Sequence, residues 1–296
     1  MSIKKVLVRV FINTNYFLFK HSPKSFYPSL LKMYYRIQMG KPLNLSNPVT
    51  LTEKIQWLKL NDSTKEKTRL ADKYAVREWI KNTIGDEYLI PLLGVWSSFD
   101  EIDFEALPDK FALKCNHGSS NNIIVTDKNA LDIPSARKQF KKWLKINYAY
   151  YSGELHYEPI KPLIIAEKYI ENVGGLQDYR FYCFNGEPKL VWIDVFSGTP
   201  NHKRNILDIN WEPIPVVCKW PPRDISEIKK PSTYDEMLVL ARKLSQDFSF
   251  VRVDLYDVDG KIYFGEMTFT PMSGEADFEP SEYNKIFGDM LMLPNK

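Results

Sequence analysis

Asp254, Glu266 and Thr268 are oxygen-bearing side chains within one short stretch, Phe250-Val-Arg-Val-Asp254-Leu-Tyr-Asp-Val-Asp-Gly260-Lys-Ile-Tyr-Phe-Gly-Glu266-Met-Thr268-Phe. Runs rich in β-branched and aromatic residues flank Val258-Asp259-Gly260, which is a hairpin signal. A three-residue loop, with Gly260 left-handed, sets Asp257 opposite Lys261 and Asp254 opposite Phe264. Asp254, Glu266 and Thr268 then share one face, and Val251, Val253, Leu255, Met267 and Phe269 line an apolar one. In this reading a two-residue Asp-Gly turn would put Asp254 and Glu266 on opposite faces. Hard oxygen donors on a rigid hairpin suit Mg²⁺, which retains phosphate and water ligands. The competing reading is a pair of ordinary solvated strand carboxylates. An EF-hand is excluded, because its first ligand position would fall on Leu255 and its flanks are strands.

Other residues carry cationic chemistry. Phe111-Ala-Leu-Lys114-Cys115-Asn-His117-Gly118-Ser119-Ser120-Asn-Asn-Ile-Ile-Val125 reads as strand, small-residue loop, strand. Backbone N–H groups in such a loop can wrap phosphate oxygens, and Lys114 adds a point charge. It is not a Walker A loop, since no Gly-Lys-Ser/Thr follows and no helix opens behind it; a plain hairpin turn is the alternative. Asp178 and Arg180 share a strand face, two residues apart, in a hairpin turning at Asn185-Gly186. Asn201-His202-Lys203-Arg204-Asn205 reads as a polar, cationic patch. His117 and His202 are the histidines near these groups, and either could accept a proton. Cys115 reads as packing, with no base placed for it.

The elements that must position these groups follow from the rest of the chain. At 296 residues, 44% hydrophobic and 14% aromatic, it can bury a sizeable core. No apolar run approaches the roughly 18–20 residues of a membrane span. Three widely spaced cysteines, Cys115, Cys183 and Cys218, point to a reducing cytoplasm. Residues 1–52 hold eight cations and no acid, so the rest of the chain carries −5 of the net +3. That asymmetry predicts an anionic contact for the N-terminus. Ile3, Val6, Leu7, Val10 and Phe11 recur at helical spacing, with Lys4, Lys5 and Arg9 off the stripe. Two readings fit: a helix on an anionic membrane face, and a helix docked on the protein's own core.

Residues 40–52 have linker chemistry, and Thr52 is placed as the N-cap of the next helix. A second helix is expected over about Thr68–Ile84, ending at Gly85. Ile90-Pro-Leu-Leu-Gly-Val-Trp reads as a strand and Ser135–Asn147 as a basic helix. Pro162-Leu-Ile-Ile-Ala-Glu167-Lys168-Tyr169-Ile170 reads as a buried strand turning polar, followed by a Gly174-Gly175 loop. Tyr234–Asp247 is a helix with Leu238, Ala241 and Leu244 inward.

In this order the pieces resemble the ATP-grasp superfamily: a Lys–Gly-loop hairpin, a Glu-Lys-aromatic-aliphatic hinge, an Asp-x-Arg strand, and an Arg-Val-Asp strand followed by a Glu-bearing one. Residues from about Leu51 to Pro271 are similar to the branch named for teichuronopeptide biosynthesis (TupA-like), whose members sit in bacterial capsule and exopolysaccharide gene sets. The phrases that carry this are Glu53-Lys-Ile-Gln-Trp-Leu-Lys, Ala71-Asp-Lys-Tyr-Ala-Val-Arg-Glu, Leu113-Lys-Cys-Asn-His-Gly-Ser and Val251-Arg-Val-Asp-Leu-Tyr. The resemblance implies an α+β fold whose two lobes clasp ATP, with a basic segment at 1–52, a helical lobe at 53–108, a central lobe with a Gly flap at 109–170 and a C-terminal lobe at 171–296.

By the same resemblance, Lys73 and Lys114 hold ATP phosphates under a flap at Gly118, Ser119 and Ser120. Glu167, Lys168 and Ile170 read adenine at the hinge, and Asp178 contacts ribose or orients Arg180. Asp254 and Glu266 hold Mg²⁺; superfamily members often have Asn where this chain has Thr268, which leaves one or two ions open. Arg180 and Arg204 are the implied catalytic cations. The implied activity is an ATP-dependent ligase joining an amino acid or amino sugar to a uronic-acid carboxylate of a saccharide or its lipid-linked precursor. The cysteines and the charge of residues 1–52, which lie outside the resemblance, lead to the expectation of a cytoplasmic enzyme at the inner face of the plasma membrane, with that segment against membrane or lipid carrier; no nucleic acid partner is expected. A saccharide kinase, a glycosyltransferase and a binding module without turnover are the alternatives.

Overall fold

The computed structural model describes residues 3–171, 177–197 and 199–294, the side chains of residues 3–9 excepted. The expected Gly174-Gly175 loop lies outside them. Helices α1 (Ile3–His21), α2 (Tyr27–Met39), α3 (Leu51–Asn61), α4 (Lys65–Ala71) and α5 (Val76–Thr83) come first. Strands β1 (Leu92–Trp96), β2 (Phe111–Cys115) and β3 (Asn122–Val125), helix α6 (Ile133–Trp143) and strand β4 (Ile164–Lys168) follow. They form a four-stranded sheet in the order β1-β4-β2-β3, with Ala136 and Phe140 of α6 in its core.

The remainder runs β5 (Asp178–Phe184), β6 (Glu187–Val195), β7 (Lys203–Asp208), β8 (Val217–Cys218), α7 (Tyr234–Ser245), β9 (Phe250–Val258), β10 (Lys261–Thr268), β11 (Phe278–Glu279) and α8 (Tyr283–Asp289). Its main sheet has five strands in the order β10-β9-β5-β6-β7. All ladders in both large sheets are antiparallel, which is the α+β class expected.

Strand alternation divides the five-stranded sheet into two unlike faces. One carries Phe181, Val191, Leu207, Val253 and Met267 into a core shared with Leu70, Val76 and Ile80 of α4 and α5 and Met237, Leu240 and Ala241 of α7. Leu238, expected inward on α7, is only half-buried, and Met237 and Leu240 take that side. The other face is apolar at one end, where Tyr182, Trp192 and Phe250 meet α3 and α8. At its other end it is charged, and this end bounds the cleft described below.

The β9–β10 hairpin corrects the expected register. Val258 pairs with Lys261, so the turn is Asp259-Gly260 alone, with φ of 53° and 80°. Two consecutive positive φ values are the two-residue type I′ geometry, not a three-residue loop. Phe264 accordingly faces Leu255 rather than Asp254. Gly265 then stands as an extra residue between the Phe264–Leu255 and Glu266–Asp254 pairs. This β-bulge shifts the alternation by one and returns Glu266 and Thr268 to the side of Asp254. A side chain at Gly265 would press on the Asp254 carbonyl oxygen and the Tyr256 ring, each 3.0 Å from its Cβ. The apolar face is as expected, with Val251, Val253, Leu255, Met267 and Phe269 all in the core.

Three helical expectations also change. The N-cap of α3 is Thr50, not Thr52, in a capping box with Glu53. Thr52 is instead buried, bonded to the Tyr35 hydroxyl and the Asn284 side chain. The helix expected over Thr68–Ile84 is two helices, because Asp72 turns its carboxylate onto the N–H groups of Tyr74 and Ala75. The basic helix α6 starts at Ile133, with Asp132 capping it and Pro134 in its first turn, and stops at Trp143. Helices α1 and α2 pack on each other and on residues 148–151, around Phe19, Tyr27, Leu31 and Tyr35. No described helix is long and apolar enough to cross a membrane.

Candidate functional site

The charged end of the five-stranded sheet and the β2–β3 hairpin enclose a cleft of about 500 Å³. Its lining includes Lys73, Lys114, Gly118, Ser119, Glu167, Asp178, Arg180, Asp254 and Glu266, residues drawn from five separate stretches of chain. The break between α4 and α5 delivers the first of these. Asp72 receives the Asn116 side chain at 2.9 Å, and the Lys73 N–H donates to the Asn116 carbonyl, so the break is tied to the base of the loop after β2. Lys73 Nζ then reaches the Gly118 carbonyl at 2.9 Å and Glu266 Oε2 at 3.1 Å, linking loop and hairpin across the cleft. A side chain at Gly118 would crowd the Tyr148 ring, 3.1 Å from its Cβ.

Lys114, on β2, and Arg77, on α5, converge on one buried carboxylate. Glu167 accepts from Lys114 at 2.7 Å and from Arg77 at 3.1 Å. Glu167 therefore presents its side chain to the cleft. Lys168, next on β4, is exposed, and neither it nor Ile170 is among the lining residues.

On the sheet, alternation puts Asp178, Arg180, Asp194, Arg204, Arg252, Asp254 and Glu266 on one face. Arg180 donates to Asp178 at 2.8 Å and to Asp194 at 2.6 Å, and its buried Nε has no hydrogen-bond partner, 3.8 Å from Asp254. Asp194 is fully buried and also receives Arg204 through two bonds of 2.6 Å. These guanidiniums outweigh the cost of burial and hold the Asp194 carboxyl below its usual range.

Arg204 is not in an exposed cationic patch. It is 4% exposed, lies 4.4 Å from the Trp220 ring centre and 4.9 Å from that of Trp192, and is not among the cleft-lining residues. His202 is buried as well, stacked on Trp220 with ring centres 3.9 Å apart and 3.4 Å from Asp194. Burial shifts its pKa downward. His117 lies away from the cleft lining, with Nε2 3.2 Å from the Trp143 carbonyl oxygen. Cys115 is buried, and burial pushes its thiol up to about 12, in keeping with packing.

Asp254 and Glu266 are register partners across the bulge. Arg252 grips both, at 2.7 and 2.6 Å on Asp254 and 2.8 Å on Glu266. Burial raises Asp254 to about 6 against the pull of Arg252 and Arg180. Burial would raise Glu266 too, but Lys73 and Arg252 bring it down to about 2. Thr268 donates to Glu266 Oε1 at 3.2 Å and does not line the cleft. Among the described residues no three His, Cys, Asp or Glu side chains cluster to hold a metal. The donor set still suits Mg²⁺ bound with a nucleotide: two carboxylates side by side, beside cations for the phosphates, with the remaining ligands left to phosphate and water.

Arg252, Asp194 and Arg77 were missed as site residues in the sequence. Arg252 was signalled by the alternation that buries Val251 and Val253, which places it beside Asp254. Asp194, inside the apolar run Leu-Val-Trp-Ile-Asp-Val, had no signal of its own. Arg77 was hidden by reading α4 and α5 as one helix.

The family described as TupA-like ATPgrasp matches residues 53–292. No curated protein matches the chain. Among solved structures, the D-alanine–D-alanine ligase of Bacillus anthracis complexed with ATP is similar at 16% identity, covering 75% of this chain and 65% of that one, with a TM-score of 0.47. The N5-carboxyaminoimidazole synthase of Aspergillus clavatus, in complex with ADP and its ribonucleotide, is similar at 15% identity over 72% and 46%, with a TM-score of 0.39. The D-alanine–D-alanine ligase of Helicobacter pylori is similar at 13% identity over 77% and 60%, with a TM-score of 0.41. The chain thus spans less than two thirds of the length of each of these three.

Proposed function

Because the chain belongs to the TupA-like ATP-grasp family, we propose that it is an ATP-dependent ligase that joins an amine to a carboxylate. The observation that carries this is the meeting of Lys73, Lys114 and Arg180 with the Asp254–Glu266 pair around one cleft. Three cations facing two adjacent carboxylates suit a triphosphate and its Mg²⁺. Catalysis in such a site is positioning and charge stabilisation.

In the proposed reaction a carboxylate oxygen attacks the γ-phosphorus of ATP and ADP leaves. The amine then attacks the carbonyl carbon of the acyl phosphate. Inorganic phosphate departs, the amine's proton passes to solvent or to that phosphate, and an amide remains. Lys73 and Lys114 hold the phosphates beneath the loop at Gly118 and Ser119. Glu167 borders the adenine from the cleft, Lys168 and Ile170, outside the lining, would reach it through main-chain groups, and Asp178 orients Arg180. Arg180 stabilises the transferring phosphoryl group and the tetrahedral oxyanion. Arg204 acts with it through Asp194, the carboxylate that they share. Asp254 and Glu266, with Thr268 bonded to Glu266, would hold Mg²⁺, which when bound neutralises phosphate charge.

The acceptor is read as a uronic-acid carboxylate of a capsular or exopolysaccharide, or of its lipid-linked precursor, and the donor as an amino acid or amino sugar. That reading rests on the family's gene-set context. The charge of residues 1–52 suggests in addition an enzyme of the cytoplasm at the inner face of the plasma membrane, with that segment towards the surface.

The test is ATP turnover by the full chain against uronic acids crossed with amines, with mass spectrometry for an amide. Turnover should require both partners. ADP release with a sugar and no carboxylate or amine would establish a kinase instead. Glu266→Gln should lower turnover at least about a hundredfold while the circular dichroism spectrum is unchanged, since a charge-stabilising group is lost. Full activity in that variant would remove the metal assignment.

A further inference from the structure

We propose that the outward faces of α1 and α2 form a docking surface for an anionic lipid bilayer. This deepens the membrane-face placement above and does not depend on the ligase chemistry. Docking on the protein and docking on a membrane, opposed as alternatives for this helix, use different faces of it. Helix α1 packs inward with Asn15, bonded to the Tyr151 carbonyl, and with Phe19 edge-on to Tyr27. Val10 and Phe17, seven residues apart and so nearly on one helical face, are 56% and 61% exposed.

Helix α2 repeats the division. Tyr27, Leu31, Tyr34 and Tyr35 are buried. Phe26, Met33 and Ile37, spaced by seven and then four residues, are 59%, 42% and 56% exposed, and half-buried Leu30 falls on the same stripe. Six of the fifteen large apolar side chains exposed in the described chain lie between residues 10 and 37. Exposed apolar faces on two adjoining helices are what an interaction surface requires.

The charge around this stripe identifies the partner. Lys20, Lys24, Lys32 and Arg36 are all exposed. Of these, Lys24 has an ion-pair partner among the described residues, Glu158. Residues 1–52 contain no acid to neutralise the others. A basic rim with Phe and Ile on the adjacent face is the composition of helices that lie in an anionic interface. A nucleic acid or other polyanion would satisfy the cations and leave Phe17, Phe26 and Ile37 in water. A second copy of this chain would bring the same four cations against these four. A bilayer answers both the apolar and the charged half of the surface.

The experiment uses the full chain without nucleotide, sedimented with phosphatidylcholine vesicles and with equimolar phosphatidylcholine–phosphatidylglycerol vesicles. Binding is expected to the anionic vesicles alone and should weaken as salt is raised. Phe17→Glu and Ile37→Glu should each lower the partition coefficient about tenfold. Their exposure predicts an unchanged circular dichroism spectrum. Equal binding to both vesicle types, no binding to the anionic ones, or anionic binding indifferent to both substitutions overturns the proposal. A dimer in vesicle-free solution that Phe17→Glu converts to monomer overturns it too. Turnover is measured separately, so failure of either proposal leaves the other standing.

Discussion

Asp194 shows how a single residue can organise a site without lining it. Its carboxylate is the common anchor of Arg180 and Arg204 and lies 3.4 Å from His202. Asp194→Asn removes the charge that compensates two buried guanidiniums, so it should destabilise the protein by about 3–5 kcal/mol, read from denaturant unfolding. In the fraction that folds, Arg180 loses its 2.6 Å support and turnover should fall, with ATP affinity less affected than rate. An Asn variant as stable as the parent would show that these bonds contribute little. The carboxylates Asp254 and Glu266 were visible in the sequence because polar residues stand out at alternate positions of an apolar hairpin. Asp194 was invisible, because its partners Arg180 and Arg204 lie on the two neighbouring strands and an isolated acid inside an apolar run states no pairing.

At the scale of elements, two irregularities do the positioning. The bulge at Gly265 sets which face Glu266 occupies, and the break at Asp72 sets where Lys73 points. Gly265→Val, whose Cβ would press on the Asp254 carbonyl oxygen and the Tyr256 ring, should favour plain pairing of residue 265 with Asp254 and turn Glu266 towards the core face. A carboxylate there would meet Val253 and Leu255 without a partner, so the substitution should cost several kcal/mol. It should also abolish nucleotide binding, measured by calorimetry on whatever folds. Retained binding at parental affinity would mean that the bulge accommodates a side chain. By contrast, the Asn185-Gly186 and Asp259-Gly260 turns follow local rules, because two-residue I′ turns draw on residues that tolerate positive φ. A bulge has no comparably strong local preference. A glycine in a strand can equally mark a close backbone approach, and Gly265 combines both.

For the molecule as a whole, the cleft exists because two antiparallel sheets and a broken helix meet, with Lys73 touching both sides. The N-terminal helices are tied to the same neighbourhood. Tyr34 and Gln38 of α2 each lie 3.4 Å from Glu275, seven residues beyond the end of β10. Burial lifts the Glu275 carboxyl to about 7, with Glu154 raising it and Lys59 and the Gln38 and Tyr34 bonds opposing. The folded-state value lies above the unfolded one, so this group's contribution to stability is fully present below about pH 4.5 and lost as pH rises through about 7. Denaturant unfolding between pH 5 and 8 should show a fall on the order of 2 kcal/mol that Glu275→Gln abolishes. Identical pH profiles for parent and variant would refute it. The same contact gives α2, half of the proposed lipid-facing surface, a direct connection to the segment that leaves the Asp254–Glu266 hairpin.

The amino-acid sequence by itself determined the hairpins, the apolar faces, the basic N-terminal segment and the family, because periodicity, turn residues and short phrases are local properties of a chain. It also brought Asp254 and Glu266 to one face, though by a loop that the protein does not use. Tertiary structure alone decided that Gly265 supplies the missing residue of register and that Arg204 and His202 are interior. It likewise decided that Glu167 joins Lys114 to Arg77, and that α1 keeps one face for the protein and another for its surroundings. Each of these depends on which distant strand or helix comes to lie alongside. No residue carries that information until the sheets have formed and the buried charges have met.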